Sequence, residues 1–315
     1  MTAPLRLPPL SLGVMTFGDQ VGRDEAERML ARARDAGITL FDTADSYHEG
    51  ESEELLGDLM APWPDDVVVA SKVGRPVTDA PDDTGLRPER IAASIDDTLK
   101  RLQRDHVDLY YLHQPDPEVP VEDSLGAMNE LVEAGKVRAV GVSNFAAWQI
   151  ADMQAIAARE GYAPIRASQV LFNLLGRRLE DEYVTFAAAH GLATTVYNPL
   201  AGGLLTGKHR PHATPSEGRF ALARYRDRYF DEQLFAGVER LREVAEGAGM
   251  SLIELSFRWL VHHPAVDSVL LGASSDAQLE ANLAACSGAP LPSEVIEACD
   301  EVWATVGGAA PRYNR

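Results

Sequence analysis

Short apolar runs, most of them continuous, alternate along this chain with longer helical stretches. Apolar runs that do not alternate with polar residues are typical of strands buried on both faces. They predict eight β-strands, at residues 10–15, 38–44, 67–73, 107–113, 137–143, 167–172, 193–198 and 266–273. The intervening stretches predict eight helices, at residues 24–36, 52–60, 88–104, 122–135, 146–159, 178–190, 251–262 and 276–286.

The alternation of eight strands with eight helices predicts an α/β fold, a closed parallel (β/α)8 TIM barrel. The alternative is a doubly wound open sheet, which calls for a glycine-rich fingerprint after the first strand. GVMTFGDQVG at 13–22 does not fit G-x-G-x-x-G. No internal repeat or linker is visible, so we expect one domain over residues 1–315. Ser251 with Glu254, and Ser275 with Gln278, have capping-box spacing at two helix starts.

Composition narrows the class of protein. The chain is 45% hydrophobic and 24% charged, as in an ordinary soluble globular protein. No apolar run has the roughly 18 residues of a membrane span, and the N-terminus lacks a secretion signal. A net charge of −19 argues against a nucleic-acid surface. With only Cys286 and Cys299, we expect two free thiols, no cysteine metal site and a cytoplasmic location.

The segment after the seventh strand, residues 199–231, is long for a connection in a compact domain, and such loops are usually functional or disordered. It is also basic, although the whole chain is acidic. Its cations are Lys208, Arg210, Arg219, Arg224, Arg226 and Arg228, against Glu217 and Asp227. We predict a loop that closes over a small polyanion; a solvated loop is the alternative.

Four residues with proton-transfer chemistry follow neighbouring strands: Asp42, Tyr47, Lys72 and His113. In a parallel barrel the active site gathers at the carboxyl ends of the strands, so all four can reach one pocket. A phenol, with an ordinary pKa of about 10, is a poor acid near neutrality. A nearby ammonium favours the phenolate, and a carboxylate holds that ammonium charged. The set therefore predicts a general acid/base. Each residue alone also has a structural explanation, as a turn residue, an ion pair, surface packing or a buried histidine.

Two other signals are weaker. GGLLTGK at 202–208 nearly matches a P-loop, but His209 stands where the Mg²⁺-binding hydroxyl belongs. His209 and His212, or His262 and His263, show no third ligand, so we predict no metal. Lys72 as a Schiff-base nucleophile would suit a barrel aldolase, a chemistry that does not need Tyr47.

Several segments resemble the aldo-keto reductase superfamily: FDTADSYHEGESEELLG, ASKVG, DLYYLHQPD, GKVRAVGVSNF and LGASSDAQLEANLAA. The resemblance runs from about residue 10 to the C-terminus. VYNPLAGGLLTGKHR, GRF, YRDRYF, RWLVHH and the terminal PRYNR most resemble the aflatoxin aldehyde reductase branch. This implies NADPH-dependent reduction of aldehydes and dicarbonyls, including succinic semialdehyde. Potassium-channel β subunits are similar in the GASS segment, so a nicotinamide-binding regulatory subunit is the alternative.

The resemblance also assigns roles. It implies Tyr47 as the proton donor, Lys72 and Asp42 as the residues that tune it, and His113 as the residue that positions the carbonyl. Residues near the nicotinamide would be Ser143, Asn144, Gln169 and Tyr197. The loop over the pyrophosphate would include Asn198, Pro199, Leu200, Gly203, Leu205 and Lys208. The adenosine-phosphate end would include Arg219, Gly272, Ser274, Ser275, Gln278 and Asn282.

On the substrate side the resemblance implies Arg228 and Arg315, whose guanidinium groups would grip a carboxylate. The partner is therefore expected to be a small carbonyl compound, bound by a monomer or homodimer.

The chain departs from many relatives in the segment GASSDAQLEAN, which has no Lys or Arg and carries Ala281 in place of a glutamate. Lys208 and Arg219 would supply the positive charge for NADP.

Overall fold

A computed structural model describes residues 5–63, 66–80, 82–211, 213 and 218–308, without the side chain of Arg224. Eight parallel strands form a closed barrel in sequence order. They are β1 (Leu10–Gly13), β2 (Leu40–Asp42), β3 (Val68–Val73), β4 (Val107–Leu112), β5 (Val137–Ser143), β6 (Ile165–Leu171), β7 (Ala193–Tyr197) and β8 (Ser268–Gly272). The closing pair is β1 with β8, in which Leu12 lies opposite Leu271. The predicted (β/α)8 fold is confirmed.

The described residues form eleven α-helices around this barrel. They are α1 (Arg23–Asp35), α2 (Glu51–Met60), α3 (Pro88–Leu102), α4 (Val121–Glu133), α5 (Ala147–Glu160), α6 (Tyr183–His190), α7 (Ala223–Tyr229), α8 (Glu232–Gly247), α9 (Leu252–Val261), α10 (Asp276–Cys286) and α11 (Ser293–Val306). Ser251 caps α9 by accepting from Glu254 N at 3.1 Å, and Ser275 caps α10 by accepting from Gln278 N at 3.2 Å. Both predicted caps are thus present.

Three of these helices, α7, α8 and α11, were not predicted. The loop expected over 199–231 in fact contains α7 and two 3₁₀ turns, Ala201–Thr206 and Arg219–Ala221. Arg226 stabilises the second turn by donating to the carbonyls of Phe220 and Ala221, at 2.7 and 2.6 Å. Both bonds come from a side chain within the same segment. The prediction of a loop was based on glycine and proline content, which does not reveal such bonds.

Strand alternation explains how polar groups reach the barrel interior. Side chains at every second position of a strand point to the same face. Leu40, Ala70, Leu109, Tyr111 and Ala167 form one buried cluster. Two positions further along their strands come Asp42, Lys72, His113 and Gln169, all buried. Each contributing strand is therefore apolar in the lower barrel and polar at its carboxyl end.

Two further features bear on the predicted class of protein. No helix in the described part of the chain combines the length and the apolar composition that crossing a bilayer requires. Cys286 and Cys299 are buried free thiols, as expected.

Candidate active site

The four predicted residues meet at the carboxyl end of the barrel. Asp42 is the last residue of β2, Lys72 lies on β3, and His113 directly follows β4. Tyr47 begins a 3₁₀ turn, Tyr47–Gly50, after β2. The Lys72 ammonium donates to Asp42 Oδ1, to the Thr43 carbonyl at 2.6 Å and to the Tyr47 hydroxyl at 3.2 Å. A carboxylate, an ammonium and a phenol are thus hydrogen-bonded in series.

Lys72 is fully buried, yet it keeps its charge. Burial on its own would lower the pKa of this ammonium, but Asp42 and Tyr47 more than compensate, so the pKa of Lys72 is raised. Its Nζ also lies 4.9 Å from the centre of the Tyr47 ring. A permanent positive charge therefore stands beside the Tyr47 hydroxyl and would stabilise a phenolate there.

His113 completes the group from the other side. Its ring packs edge-on to that of Tyr47, with 6.0 Å between centroids. Burial, together with the positive charges of Lys72 and Arg75, lowers the pKa of His113 well below its usual value. Its Nδ1 is buried and has no hydrogen-bond partner among the described residues. The imidazole is therefore neutral at physiological pH and can donate one hydrogen bond without adding charge.

The backbone that presents Tyr47 is strained. His48 and Glu49 have φ angles of 50° and 54°, a left-handed conformation uncommon for residues other than glycine. His48 Nε2 contacts the Met15 carbonyl at 2.9 Å. This contact ties the turn after β2 to the loop after β1 and offsets part of the cost of the conformation.

Asp45, two residues before Tyr47, ties the same turn to helix α3. Its carboxylate accepts from Arg90 and Ser94, both at 2.8 Å, and Tyr110 donates to Ser94 at 3.0 Å. Burial raises the pKa of Asp45 to about 6, although Arg90 and Ser94 oppose the shift. One carboxylate oxygen, Oδ1, has no partner among the described residues.

A second row of polar groups lies beside the tetrad formed by Asp42, Tyr47, Lys72 and His113. Gln169 Nε2 donates to Asp42 Oδ2 at 2.8 Å, and Ser143 Oγ donates to the Gln169 carbonyl at 3.0 Å. Asn144 Nδ2 donates to the His113 carbonyl at 2.8 Å, and the Tyr197 hydroxyl donates to Asn144 Oδ1 at 2.6 Å. The structure therefore joins the residues predicted beside the nicotinamide to the tetrad in one network.

These groups line a cleft of about 310 Å³ at the carboxyl end of the barrel. Asp42, Tyr47 and His113 face it, whereas Lys72 lies behind them. The cofactor residues predicted from the sequence that line it are Ser143, Asn144, Gln169, Tyr197, Asn198, Pro199, Leu200, Gly203, Lys208, Arg219, Gly272, Ser274 and Gln278. Arg228 lines it too, while Arg315 lies outside the described residues.

Three predicted cofactor residues have other positions. Leu205 is buried in the core, and Asn282 is buried and donates to the Gly272 carbonyl at 3.2 Å. Ser275 caps α10 through its side chain. Gln278 accepts from the Ser274 amide at 2.8 Å rather than from Ser275, so the second half of the expected capping box is shifted by one residue. None of these three residues lines the cleft, and Asn282 supports it through its bond to Gly272, which does.

The basic loop contributes cations at one end of the cleft. Arg219 donates to Asn198 Oδ1 at 2.9 Å, and its guanidinium lies 5.6 Å from the centre of the Tyr225 ring. A Cβ on Gly272 would come within 3.3 Å of the same guanidinium. Gly203, with a φ of 109°, allows the backbone to turn along the cleft without a side chain. Such a cradle of glycine backbone and guanidinium suits a phosphate group.

Sequence reasoning missed several residues of the lining. Besides the predicted ones, the cleft is bounded by Gly13, Met15, Thr16, Gln20, Arg75, Gly202, Thr206, Gly218, Tyr225, Phe257, Leu270 and Ala273. Arg75 carries the one additional cation among them. Its position three residues after Lys72, just past the end of β3, is a signal that could have identified it. Within the described part of the chain, no three His, Cys, Asp or Glu side chains converge as metal ligands would.

A larger cavity, of about 420 Å³, lies elsewhere, against α6 and the start of β7. Its walls are mostly alanine, leucine, valine, proline and glycine, with Asp267 as the titratable residue. Asp267 already accepts from the Thr194 amide at 2.7 Å. The chemistry of the protein therefore points to the smaller cleft at the tetrad.

Comparisons with known proteins agree with this geometry. The sequence profile of the Aldo/keto reductase family matches residues 9–304. The chain is 34% identical over 332 residues to aflatoxin B1 aldehyde reductase member 2 of Rattus norvegicus, covering 99% of this chain and 89% of the relative. It is 34% identical over 332 residues to aldo-keto reductase family 7 member A3 of Homo sapiens, covering 98% and 97%. It is also 35% identical over 310 residues to a probable voltage-gated potassium channel subunit beta of Oryza sativa subsp. japonica, covering 95% and 93%. The chain therefore belongs to the Aldo/keto reductase family of oxidoreductases.

Proposed function

We propose that this protein reduces aldehydes and dicarbonyl compounds to alcohols with NADPH, using Tyr47 as the proton donor. The observation that carries the proposal is the contact of the buried Lys72 ammonium with both Asp42 and the Tyr47 hydroxyl, at the wall of the cleft. The relatives named as aldehyde reductases support the same activity.

When bound, the reduced nicotinamide supplies a hydride to the carbonyl carbon. As the C=O π bond breaks, its electron pair moves to the oxygen, which takes a proton from the Tyr47 hydroxyl. The products are an alcohol, the oxidised cofactor and a Tyr47 phenolate that solvent reprotonates. Lys72 stabilises the charge left on Tyr47, and Asp42 keeps Lys72 charged. Neutral His113 would donate a hydrogen bond to the carbonyl oxygen and orient it.

The described residues fit a nicotinamide dinucleotide. Asn144 and Gln169 carry amide groups of the kind that recognise a carboxamide, and Tyr197 presents a flat ring. The Tyr197 bond to Asn144 fixes the position of both side chains. Arg219 and Lys208 would hold the phosphates, with the 2′-phosphate near Ser274 and Gln278. The start of α10 would add the favourable end of a helix dipole.

For the substrate we propose a carbonyl compound that bears an acid group, such as succinic semialdehyde. Arg228 lines the cleft and can bind a carboxylate. We further propose a cytoplasmic protein that acts as a monomer or homodimer, which analytical ultracentrifugation would distinguish.

The test is oxidation of NADPH by the purified protein in the presence of succinic semialdehyde, a neutral aromatic aldehyde or a diketone, with NADH in parallel. Turnover that is faster with NADPH than with NADH supports the proposal. Absence of turnover with all three compounds would remove it.

A second candidate is a nicotinamide-binding regulatory subunit, favoured by the relatives named as probable potassium channel β subunits. This function requires cofactor binding but no rapid chemistry. Tight NADPH binding without turnover of any carbonyl compound would favour it. Steady turnover at several per second would favour the reductase.

A further inference from the structure

Arg75 is directed into the cleft by the turn that ends β3. Gly74, between the strand and Arg75, has a φ of 126°, and a Cβ there would come within 2.7 Å of Leu86. The Gly74 carbonyl accepts from the Gly85 amide at 3.1 Å and from Thr84 Oγ1 at 3.3 Å. This position therefore requires glycine, and the turn that leads to Arg75 is well anchored.

The charge of Arg75 is not neutralised by any residue that the structure describes. No carboxylate among the described residues forms an ion pair with it, and its Nε is buried without a hydrogen-bond partner there. Arg90 and Arg101, by contrast, pair with the buried carboxylates of Asp45 and Glu53. The carboxylate that does line the cleft, Asp42, already accepts from Lys72 and Gln169. A half-buried guanidinium without a counterion is a favourable partner for an incoming anion.

Arg75 also lies at the tetrad end of the cleft rather than at the phosphate end. Val73, two residues before Arg75, accepts from the His113 amide at 2.8 Å, and the charge of Arg75 helps lower the pKa of His113. It acts on Tyr197 as well, where burial raises the pKa and the charges of Arg228 and Arg75 oppose the rise. Arg219, by contrast, donates to Asn198 Oδ1 at 2.9 Å, and a Cβ on Gly272 would come within 3.3 Å of its guanidinium, which places it at the end of the cleft assigned to the cofactor phosphates. Of the residues described, Arg75 and Arg228 are the remaining arginines that line the cleft, and both are therefore available to the substrate.

We propose that Arg75, together with Arg228, binds the carboxylate of the substrate and thereby determines a preference for anionic carbonyl compounds. This inference rests on the proposed reductase function and adds a residue that sets its specificity. The whole protein carries a charge of −19 and would repel anions. A local pair of guanidinium groups at the cleft reverses that repulsion where the substrate enters, and each can form two parallel hydrogen bonds with a carboxylate.

The experiment compares two substrates that differ in charge, 4-carboxybenzaldehyde and its methyl ester, methyl 4-formylbenzoate. In Arg75→Gln we expect KM for the acid to rise about tenfold, as loss of one charge-assisted contact implies. The KM for the ester should change less than about threefold, and kcat should change little for either compound. Equal changes for acid and ester, or no change for the acid, would overturn the proposal.

Two control variants separate contact from general charge. Arg75→Lys keeps the charge and should recover part of the affinity for the acid. Arg87→Gln removes the same charge from a neighbouring position whose guanidinium instead lies near Asp82. Arg87→Gln should leave both KM values unchanged. If it raised KM for the acid as much as Arg75→Gln does, long-range electrostatics would explain the preference and a specific site at Arg75 would be refuted.

A binding measurement distinguishes failure of this inference from failure of the reductase proposal. 4-(Hydroxymethyl)benzoate, the alcohol that the reaction would form, is titrated by calorimetry into the protein with NADP bound, and its methyl ester serves as control. If the wild type binds the carboxylate and Arg75→Gln binds it about tenfold more weakly, the anion site stands even without turnover. If the wild type shows no preference for the carboxylate over the ester, the anion site is refuted even if turnover occurs.

Discussion

Gln169 on β6 donates a 2.8 Å hydrogen bond to Oδ2 of Asp42 on β2, although 127 residues separate them. The other carboxylate oxygen, Oδ1, accepts from Lys72. A buried carboxylate is costly unless its oxygens are paired, and here one partner comes from a strand across the barrel. The residue predicted to face the nicotinamide therefore also holds the charged pair of the tetrad.

Gln169→Leu should weaken both stability and activity. The substitution leaves Asp42 Oδ2 buried without its donor, which should lower the free energy of unfolding by about 1–3 kcal/mol. Urea denaturation measures this loss, and kcat should fall because Lys72 is held less well. Gln20→Leu is the control, since Gln20 is an exposed residue of the same cleft that does not contact Asp42. A Gln169→Leu variant as stable as the wild type would contradict the role of this bond.

Tyr47→Phe should lower kcat by about 10²–10⁴-fold, the usual contribution of a general acid. The ring remains, so cofactor affinity, measured by fluorescence titration with NADPH, should stay within about twofold. Tyr225→Phe removes a phenol from the Arg219 end of the same cleft and should retain most of the turnover. Turnover by Tyr47→Phe at the wild-type rate would exclude Tyr47 as the proton donor.

His113 should stay neutral across the physiological range. Burial and the charges of Lys72 and Arg75 lower its pKa well below the usual value, so protonation is unfavourable in the folded protein. In NMR spectra of protein with ¹³C-labelled histidine, we expect its signal not to titrate between about pH 5.5 and pH 8. The spectrum of His113→Asn assigns the signal. A titration midpoint of His113 inside that pH range would refute the prediction.

Asp45 should make stability depend on pH in the opposite sense to a surface carboxylate. Its pKa is raised from 3.8 to about 6, so the folded protein binds the proton more tightly than the unfolded chain. The stabilising effect of this proton is complete below 3.8 and is lost as pH rises through about 6. Between pH 5 and pH 8, the free energy of unfolding of the wild type should therefore fall by about 1.4 kcal/mol relative to that of Asp45→Asn, which has no carboxyl group to titrate at this position. Urea denaturation of both proteins measures this, and a constant difference across that range would contradict it.

Arg219→Gln should weaken NADPH binding more than NADH binding, since only NADPH carries the 2′-phosphate. We expect the Kd for NADPH to rise about tenfold, the effect of losing one charge-assisted contact, and the Kd for NADH to change less than about threefold. Arg210→Gln removes an equal charge from an exposed residue of the same loop and is the control. Equal losses for both cofactors would place Arg219 at the pyrophosphate instead.

The local pattern of residues was sufficient to predict the barrel and to predict that the four residues of the tetrad meet at one end of it. Most strands coincide with short, mainly apolar segments, and the stretches between them leave room for crossover helices. In a parallel barrel every strand ends at the same face, so polar residues that follow successive strands must meet there. That rule is local in sequence, which is why the sequence alone predicts that Asp42, Lys72 and His113 meet.

Other features depend on contacts between distant parts of the chain. Arg226 stabilises the turn at Arg219–Ala221, Gln169 pairs with Asp42 across the barrel, and Arg75 lines the cleft without a counterion among the described residues. Which guanidinium groups are neutralised and which remain available is set by the positions of all carboxylates in three dimensions. A sequence lists these charges but not the distances between them, and electrostatic energy depends on those distances. The chemistry of the reaction was therefore predictable along the chain, whereas the identity of the anion-binding arginine required the folded barrel.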